Sequence, residues 1–282
     1  MVTERYGLLG WPVKHSVSPQ MQGAGFRAIG RAASYELIPV APEDLVAKVA
    51  ELKALGFRGW NCTIPHKGGI LACLDQIDPA AAGGSVNTVI HLDGKLYGHS
   101  TDGYGLERSL AESFGVSVRG GNLLFWGTGG AARAVGVYFA SQGLKRLTLV
   151  NRTLARAEEL AGLIRQVSPD CTVSVLAPDD LPALRSALHD TQALVQCTSV
   201  GLHPDDPCSV PEDLLTPGLN VLDMIYRPTK LLAEAPKRGC QVADGRAMLL
   251  YQGVRAFELW TGVSAPVAAM RAGLDAALAG KS

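Results

Sequence analysis

Leu123-Leu124-Phe125-Trp126-Gly127-Thr128-Gly129-Gly130-Ala131-Ala132 carries more architectural information than any other stretch of the chain. Four consecutive apolar residues read as a buried strand, and a Gly-x-Gly-x-x-Ala pattern then opens an apolar-periodic run, which predicts strand, tight turn and helix in immediate succession. Gly127 permits the turn, Gly129 lets backbone N–H groups approach a pyrophosphate at the helix N-terminus, and Ala132 lets helix and strand pack closely. Thr128, Gly130 and Ala131 complete the segment that would lie along a dinucleotide. In a chain of 282 residues with 32 glycines the bare pattern is weak, and its weight comes from the strand and helix on either side.

Outward from that turn the same rhythm continues. Strands are predicted near 122–126, 146–150, 171–175, 192–197 and 219–223, with helices at 130–141, 155–166 and 182–188 between them, a βαβαβ succession that suits a doubly wound sheet over residues 103–244. Upstream, strands near 6–9, 35–40 and 58–63 alternate with helices near 19–29, 42–55 and 67–74. Asp93-Gly94 between the strand-like runs 86–91 and 95–97 signals a hairpin, expected to end the first sheet. Residues 246–278 read as two helices broken around Thr261-Gly262. The fold class is therefore α/β in two lobes: residues 1–102 completed by 245–282, and 103–244, with a cleft expected between them.

Beyond the second strand of the dinucleotide lobe stands Asn151-Arg152-Thr153, with Arg156 one turn into the next helix. An NAD-binding domain usually places an acid here for the ribose 2′-hydroxyl. Two guanidinium groups flanking a hydroxyl suit a 2′-phosphate instead, which points to NADP. Thr153 as a helix cap, and Arg156 paired with Glu158 or Glu159, remain open as purely structural readings.

The 26 basic and 26 acidic side chains cancel, so no strong field favours nucleic acid or an anionic membrane surface. No window reaches the roughly 18 apolar residues of a membrane span, and Met-Val-Thr-Glu-Arg-Tyr lacks the basic and apolar pattern of a secretory signal, so a cytoplasmic protein is expected. The six cysteines are dispersed, none as Cys-x-x-Cys, and are read as reduced core residues. The six histidines show no zinc spacing, and no metal is expected.

In the first lobe, Asn61-Cys62-Thr63-Ile64-Pro65-His66-Lys67 follows a strand whose period of 2 sends Asn61 and Thr63 to one face, with Lys67 just beyond. His15-Ser16-Val17-Ser18-Pro19 opens a helix; Ser18 as its N-cap explains one hydroxyl and leaves the other without a structural reason. Lys67 can equally be a solvated loop charge, Asp102-Gly103 a turn or cap, and Asn87 a strand residue.

Taken together, these segments resemble the shikimate dehydrogenase family over nearly the whole chain. The likeness runs through Gly10-Trp11-Pro12, the Ser16/Ser18 segment, the Asn61–Lys67 segment, Gly84-Ser85-Val86-Asn87-Thr88 and Thr101-Asp102-Gly103. It continues through the glycine turn, Asn151-Arg152-Thr153 with Arg156, Thr198-Ser199-Val200-Gly201, Asp223-Met224-Ile225-Tyr226, and Met248 with Gln252-Gly253. The resemblance implies an N-terminal substrate domain, a Rossmann-type NADP-binding domain and reversible reduction of 3-dehydroshikimate to shikimate. It makes Lys67 and Asp102 the catalytic pair, gives substrate binding to Ser16, Ser18, Asn61, Thr63, Asn87, Tyr226 and Gln252, and lays Met224 and Gly245 against the nicotinamide. A monomer or homodimer is expected.

The residue types agree with that chemistry. A small ring bearing a carboxylate and hydroxyls needs neutral donors and acceptors on rigid strand ends, and reduction of a ring ketone needs a proton donor where charge builds on oxygen. Departures from the family pattern are Gln22-Gly23, Ser100, Gln196, Ala247 and a shortened 227–232 stretch, which bear on turnover and on shikimate against quinate. A methyltransferase would want an acid in place of Asn151-Arg152. A silent NADP-binding regulator could have dropped Lys67 or Asp102, and both are present.

Overall fold

Two separate six-stranded sheets organise the chain, in a computed structural model that describes residues 3–81 and 83–280. In chain order the first elements are β1 (Glu4–Gly10), α1 (Ser18–Ala28), β2 (Ala33–Pro39), α2 (Leu45–Ala54), β3 (Gly59–Cys62), α3 (His66–Gly69), β4 (Gln76–Ile77), β5 (Thr88–Leu92), β6 (Lys95–His99) and α4 (Asp102–Phe114). There follow β7 (Asn122–Trp126), α5 (Gly130–Ser141), β8 (Arg146–Val150), α6 (Leu154–Val167), β9 (Thr172–Leu176), α7 (Leu181–His189) and β10 (Ala193–Gln196). Last come β11 (Asn220–Asp223), α8 (Lys230–Glu234), β12 (Gln241–Ala243), α9 (Arg246–Thr261) and α10 (Val267–Ala279).

The chain divides into two compact units, Met1–Asp102 with Leu250–Ser282, and Gly103–Leu249. The second division falls inside α9, where the sequence reading placed it at residue 245. Its cause is local: Met248 packs on the core of the second unit, whereas Leu250, Phe257 and Trp260 are buried in the first.

In the first unit the strand order is β2-β1-β3-β5-β6-β4, and β5 is the strand that runs against its neighbours. The hairpin joining β5 and β6 turns at Asp93 and Gly94, both at positive φ, as a two-residue primed turn requires. That hairpin does not end the sheet. β4 pairs beyond it with β6, a strand too short for any periodicity to announce, with Asp75 Oδ2 accepting from Leu96 N beside it. Tyr6, Phe26, Phe257 and Trp260 stack beneath the sheet with neighbouring ring centroids 4.9–5.1 Å apart. Full burial of each such ring contributes about 1.5–3 kcal/mol. A Cβ at residue 59 would lie 2.4 Å from the Trp260 indole nitrogen, so Gly59 makes the seat in which Trp260 donates to Val89 O.

The second unit is wholly parallel, in the order β12-β11-β10-β7-β8-β9. Chain direction across this sheet reverses between β7 and β10, so the glycine turn after β7 stands at the topological switch point where such sheets bind ligands. The short strand β12 and helix α8 extend the pattern read from the sequence. Among the described residues no helix is long and apolar enough to cross a membrane. All six cysteines are free, three of them buried; burial pushes the Cys62 and Cys197 thiols well above their ordinary value.

Candidate active site

Lys67 enters the first unit's site from α3, a single turn directly beyond β3, and not from an open loop. Its Nζ donates to Asp102 Oδ2 at 2.5 Å, with the lysine side chain 25% exposed and the aspartate 7%. The other oxygen of Asp102 accepts from Asn87 Nδ2 at 2.8 Å. Each carboxylate oxygen thus has one fixed donor, and Lys67 keeps two ammonium protons that this pairing does not use. Val86 N donates to Lys67 O, which ties the lysine backbone to the segment carrying Asn87.

Asn87 stands just before β5, and its amide is fully engaged. Nδ2 also donates to Thr101 Oγ1, while Oδ1 accepts from Thr101 N at 2.8 Å, from Thr101 Oγ1 and from Thr88 Oγ1. Asn61, in β3, donates from Nδ2 to Asn87 O and Thr88 Oγ1, and its Oδ1 accepts from the Tyr35 hydroxyl at 2.7 Å. Strand register sets Tyr35 opposite Tyr6 and Asn61 opposite Leu8, so the phenol reaches across β1 to make that bond. Burial pushes the Tyr35 phenol well above its usual value, so it remains a donor.

The two serines do not behave as expected of a cap. α1 starts at Ser18 itself, with Val17 at the N-cap position and no side-chain cap, while Ser16 Oγ accepts from Ser18 N at 3.2 Å. The two hydroxyls lie 3.1 Å apart, and Ser18 also borders the Tyr35 phenol. Thr63 is half-buried, its methyl packed over Gly10, and its hydroxyl has no partner among the described residues. Gln252 lies half-buried in α9. Next to it, Gly253 O accepts from Gln22 Nε2 at 2.9 Å, so the unusual glutamine ties α1 to the turn of α9 that carries Gln252. Sequence reasoning missed Tyr35, Thr88 and Thr101 as members of this cluster, although Thr88 and Thr101 stand inside segments it quoted.

Tyr226, Met224 and Gly245 belong to the second unit. Met224 and Gly245 are in contact, for a Cβ on residue 245 would fall 2.1 Å from Met224 O. Asp223, at the end of β11, shapes this turn by accepting from Ile225 N and Thr229 Oγ1, and burial holds its carboxyl above the ordinary value.

At the glycine turn, Gly127 adopts φ 104° and a Cβ there would strike Thr198 Cγ2 at 2.5 Å, so only glycine fits. Gln196, another departure, holds the facing loop through bonds with Thr198 and Val200. A Cβ at Gly130 meets nothing within 4 Å, and α5 begins without a side-chain cap. Its first N–H groups are therefore free for an anion. Asn151 links this turn to the next loop, accepting from Thr128 N and donating to Thr153 O. Thr153 precedes α6 but makes no side-chain cap, and Glu158 pairs with Arg165, not with Arg156. The guanidinium groups of Arg152 and Arg156 are exposed and have no partner among the described residues. Bare turn, uncapped helix and two free cations fit a dinucleotide carrying an extra phosphate, with residues 127–131, Asn151, Arg152, Thr153 and Arg156 to hold it.

One unit with this dinucleotide-ready switch point, and another with an oriented Lys–Asp pair among neutral polar groups, define a class: two-unit α/β proteins of the nucleotide-dependent dehydrogenase type. Residues 8–89 match the family model of the shikimate dehydrogenase substrate binding domain, and residues 245–272 that of the shikimate 5'-dehydrogenase C-terminal domain. The shikimate dehydrogenase (NADP(+)) of Moorella thermoacetica is 46% identical over 267 residues, 93% of this chain and 90% of that protein. Among solved structures, shikimate 5-dehydrogenase from Listeria monocytogenes, in complex with shikimate and NAD, matches with a TM-score of 0.89 at 35% identity, covering 96% of each chain. The Thermus thermophilus enzyme, in complex with NADP(H) and shikimate, matches with a TM-score of 0.85 at 34% identity over 98% of this chain and 100% of that one. The chain belongs to the shikimate dehydrogenase family.

Proposed function

We propose that this protein catalyses the NADP-dependent, reversible reduction of 3-dehydroshikimate to shikimate. The observation that carries the reading is the Lys67–Asp102 pair, held from its far side by Asn87 and bordered by neutral hydroxyls and amides. NADP, when bound, supplies the hydride exchange. Lys67, with two N–H groups left over from its bond to Asp102, gives a proton to the ring oxygen on reduction and takes it back on oxidation. Asp102 keeps the ammonium in place and offers an acceptor to a ring hydroxyl. Ser16, Ser18 and Thr63 supply hydroxyls to the substrate, joined by Gln252 from α9 and Tyr226 from the second unit, while Asn61 and Asn87 brace the strand ends. Arg152, Arg156 and Thr153 take the 2′-phosphate, Asn151 supports their loop, residues 127–131 line the pyrophosphate, and Met224 and Gly245 border the nicotinamide. On the same reading the protein works in the cytoplasm as a monomer or homodimer and takes no nucleic acid, consistent with its 26 basic and 26 acidic side chains.

A steady-state assay with shikimate and quinate, each with NADP and NAD, tests this. Shikimate with NADP should give the highest kcat/KM. No absorbance change at 340 nm with saturating shikimate and either cofactor overturns the reading.

A further inference from the structure

Thr88 belongs to the Gly-Ser-Val-Asn-Thr segment but has no part in the chemistry above. It is completely buried, and its hydroxyl accepts from Asn61 Nδ2 at 2.9 Å and donates to Asn87 Oδ1 at 3.0 Å, with Thr101 Oγ1 a longer 3.4 Å away. The bonds on either side run in the same donor sense. Tyr35 O–H donates to Asn61 Oδ1 at 2.7 Å, and Asn87 Nδ2 donates to Asp102 Oδ1 at 2.8 Å. Four successive side-chain bonds therefore lead from β2 through β3 and β5 to the first residue of α4, ending on the carboxylate that holds Lys67.

Simple satisfaction of buried polar groups does not require such a run. Side chain to side chain bonds are only about 10–15% of protein hydrogen bonds, and a buried threonine is ordinarily satisfied by nearby backbone. A donor on an amide carbonyl draws electron density from its nitrogen and makes the N–H a better donor, so bonds in one sense reinforce each other. In this run the reinforcement accumulates on Asp102 Oδ1.

We propose that Thr88 and Tyr35 are positioning residues for the Lys67–Asp102 pair: Tyr35 heads, and Thr88 links, a one-way hydrogen-bond chain that fixes Asp102 Oδ1 and thereby leaves Oδ2 aimed at Lys67. This deepens the dehydrogenase reading and rests on it for its kinetic consequence. Thr101 N and Oγ1 also donate to Asn87 Oδ1, so loss of the Thr88 hydroxyl leaves the amide seated and its effect is graded. Thr88→Val keeps the side-chain shape and removes the link, Thr88→Ser keeps the link, and Tyr35→Phe removes the head.

The test compares these three variants with the wild-type chain in shikimate oxidation and in the ¹⁵N–¹H resonances of the Asn87 side-chain amide, identified by their loss in Asn87→Ala. Thr88→Val should lower kcat about tenfold with the KM for NADP unchanged, Tyr35→Phe should lower it less, and Thr88→Ser should stay within about threefold of wild type. The Asn87 amide resonances should move in the same order. Wild-type kcat in Thr88→Val, or an equal fall in Thr88→Ser, overturns the proposal. So does an Asn87 amide resonance in Thr88→Val that coincides with wild type, and this outcome decides the matter even if the wild-type chain fails to oxidise shikimate, a failure that would refute the functional reading instead.

Discussion

Around Lys67 the amides of Asn61 and Asn87 place every N–H on a partner inside the protein, and both oxygens of Asp102 have a fixed donor. Around Gly127 the opposite holds: α5 starts without a side-chain cap, Gly130 faces open space, and the guanidinium groups of Arg152 and Arg156 have no partner among the described residues. The contrast follows from what each region must recognise. Moving a proton to one oxygen of a small ring demands donors and acceptors held to within a fraction of an ångström by their own neighbours. A phosphate, with several oxygens and a charge felt over many ångströms, is caught by helix N–H groups and mobile cations that need little prior orientation.

The sharpest way to break this contrast is at Lys67. Lys67→Ala should lower kcat for shikimate by about 10²–10⁴-fold with a much smaller change in KM, read at 340 nm. A change confined to KM would make the buried region a binding site only, and its elaborate orientation would lose its explanation.

At the exposed region the expected effect is on choice of cofactor. The wild-type ratio of kcat/KM should favour NADP over NAD by about 10²-fold or more, and Arg152→Asp should invert it, because a carboxylate repels the phosphate while accepting from the ribose hydroxyls. An unchanged ratio would show that the free arginines are not the selective element.

Salt separates the regions more gently. Between about 0.05 and 0.5 M salt, the KM for NADP should rise several-fold and that for NAD much less, since exposed cations are screened over a Debye length of about 10 Å at 0.1 M. Equal responses of the two cofactors would refute a role for exposed charge.

The smallest effect concerns acidity and stability. Glu4, in the first unit, bonds to Arg31, which holds its carboxyl below the ordinary 4.5. Its contribution is present above that value and is lost as pH falls through the lowered folded-state value. Asp223, in the second unit, is held above the ordinary 3.8 by burial. Its ionised form therefore weakens the folded state, and that cost is relieved as pH falls through the raised value. Amide exchange should show β1 losing protection on acidification while β11 loses less, with Glu4→Gln flattening the first trend and Asp223→Asn abolishing the offset that spares β11. Parallel behaviour of both strands in all three proteins would contradict these assignments.

Features resting on local rules could be read directly from the residues. Asp93-Gly94 dictates a hairpin because both positions must tolerate positive φ, and the 130–141 helix and the break at Thr261-Gly262 follow from periodicity and its interruption. β4 and β12, two and three residues long, are too short to show any period. Lys67 could be singled out from its segment, but the frame around it could not. Tyr35 meets Asn61, and Thr88 meets Asn61, through strand register, and no spacing along the chain encodes register directly. Likewise Ser18 looked like a cap because it precedes Pro19, yet α1 begins at Ser18 itself, whose own N–H goes to Ser16 Oγ two residues back.

Trp260, seated in the gap left by Gly59 and bonded to Val89 O, has a bearing on how the polypeptide is made. The ribosome delivers β1–β6 long before it delivers α9 and α10, so the first sheet emerges with Tyr6 and Phe26 lacking the rings of Phe257 and Trp260 that cover them. The contiguous stretch Gly103–Leu249 has no such wait and can close as soon as it clears the exit tunnel. Synthesis and consolidation thus run in different orders, for the rings that cover Tyr6 and Phe26 are made only after the whole of Gly103–Leu249.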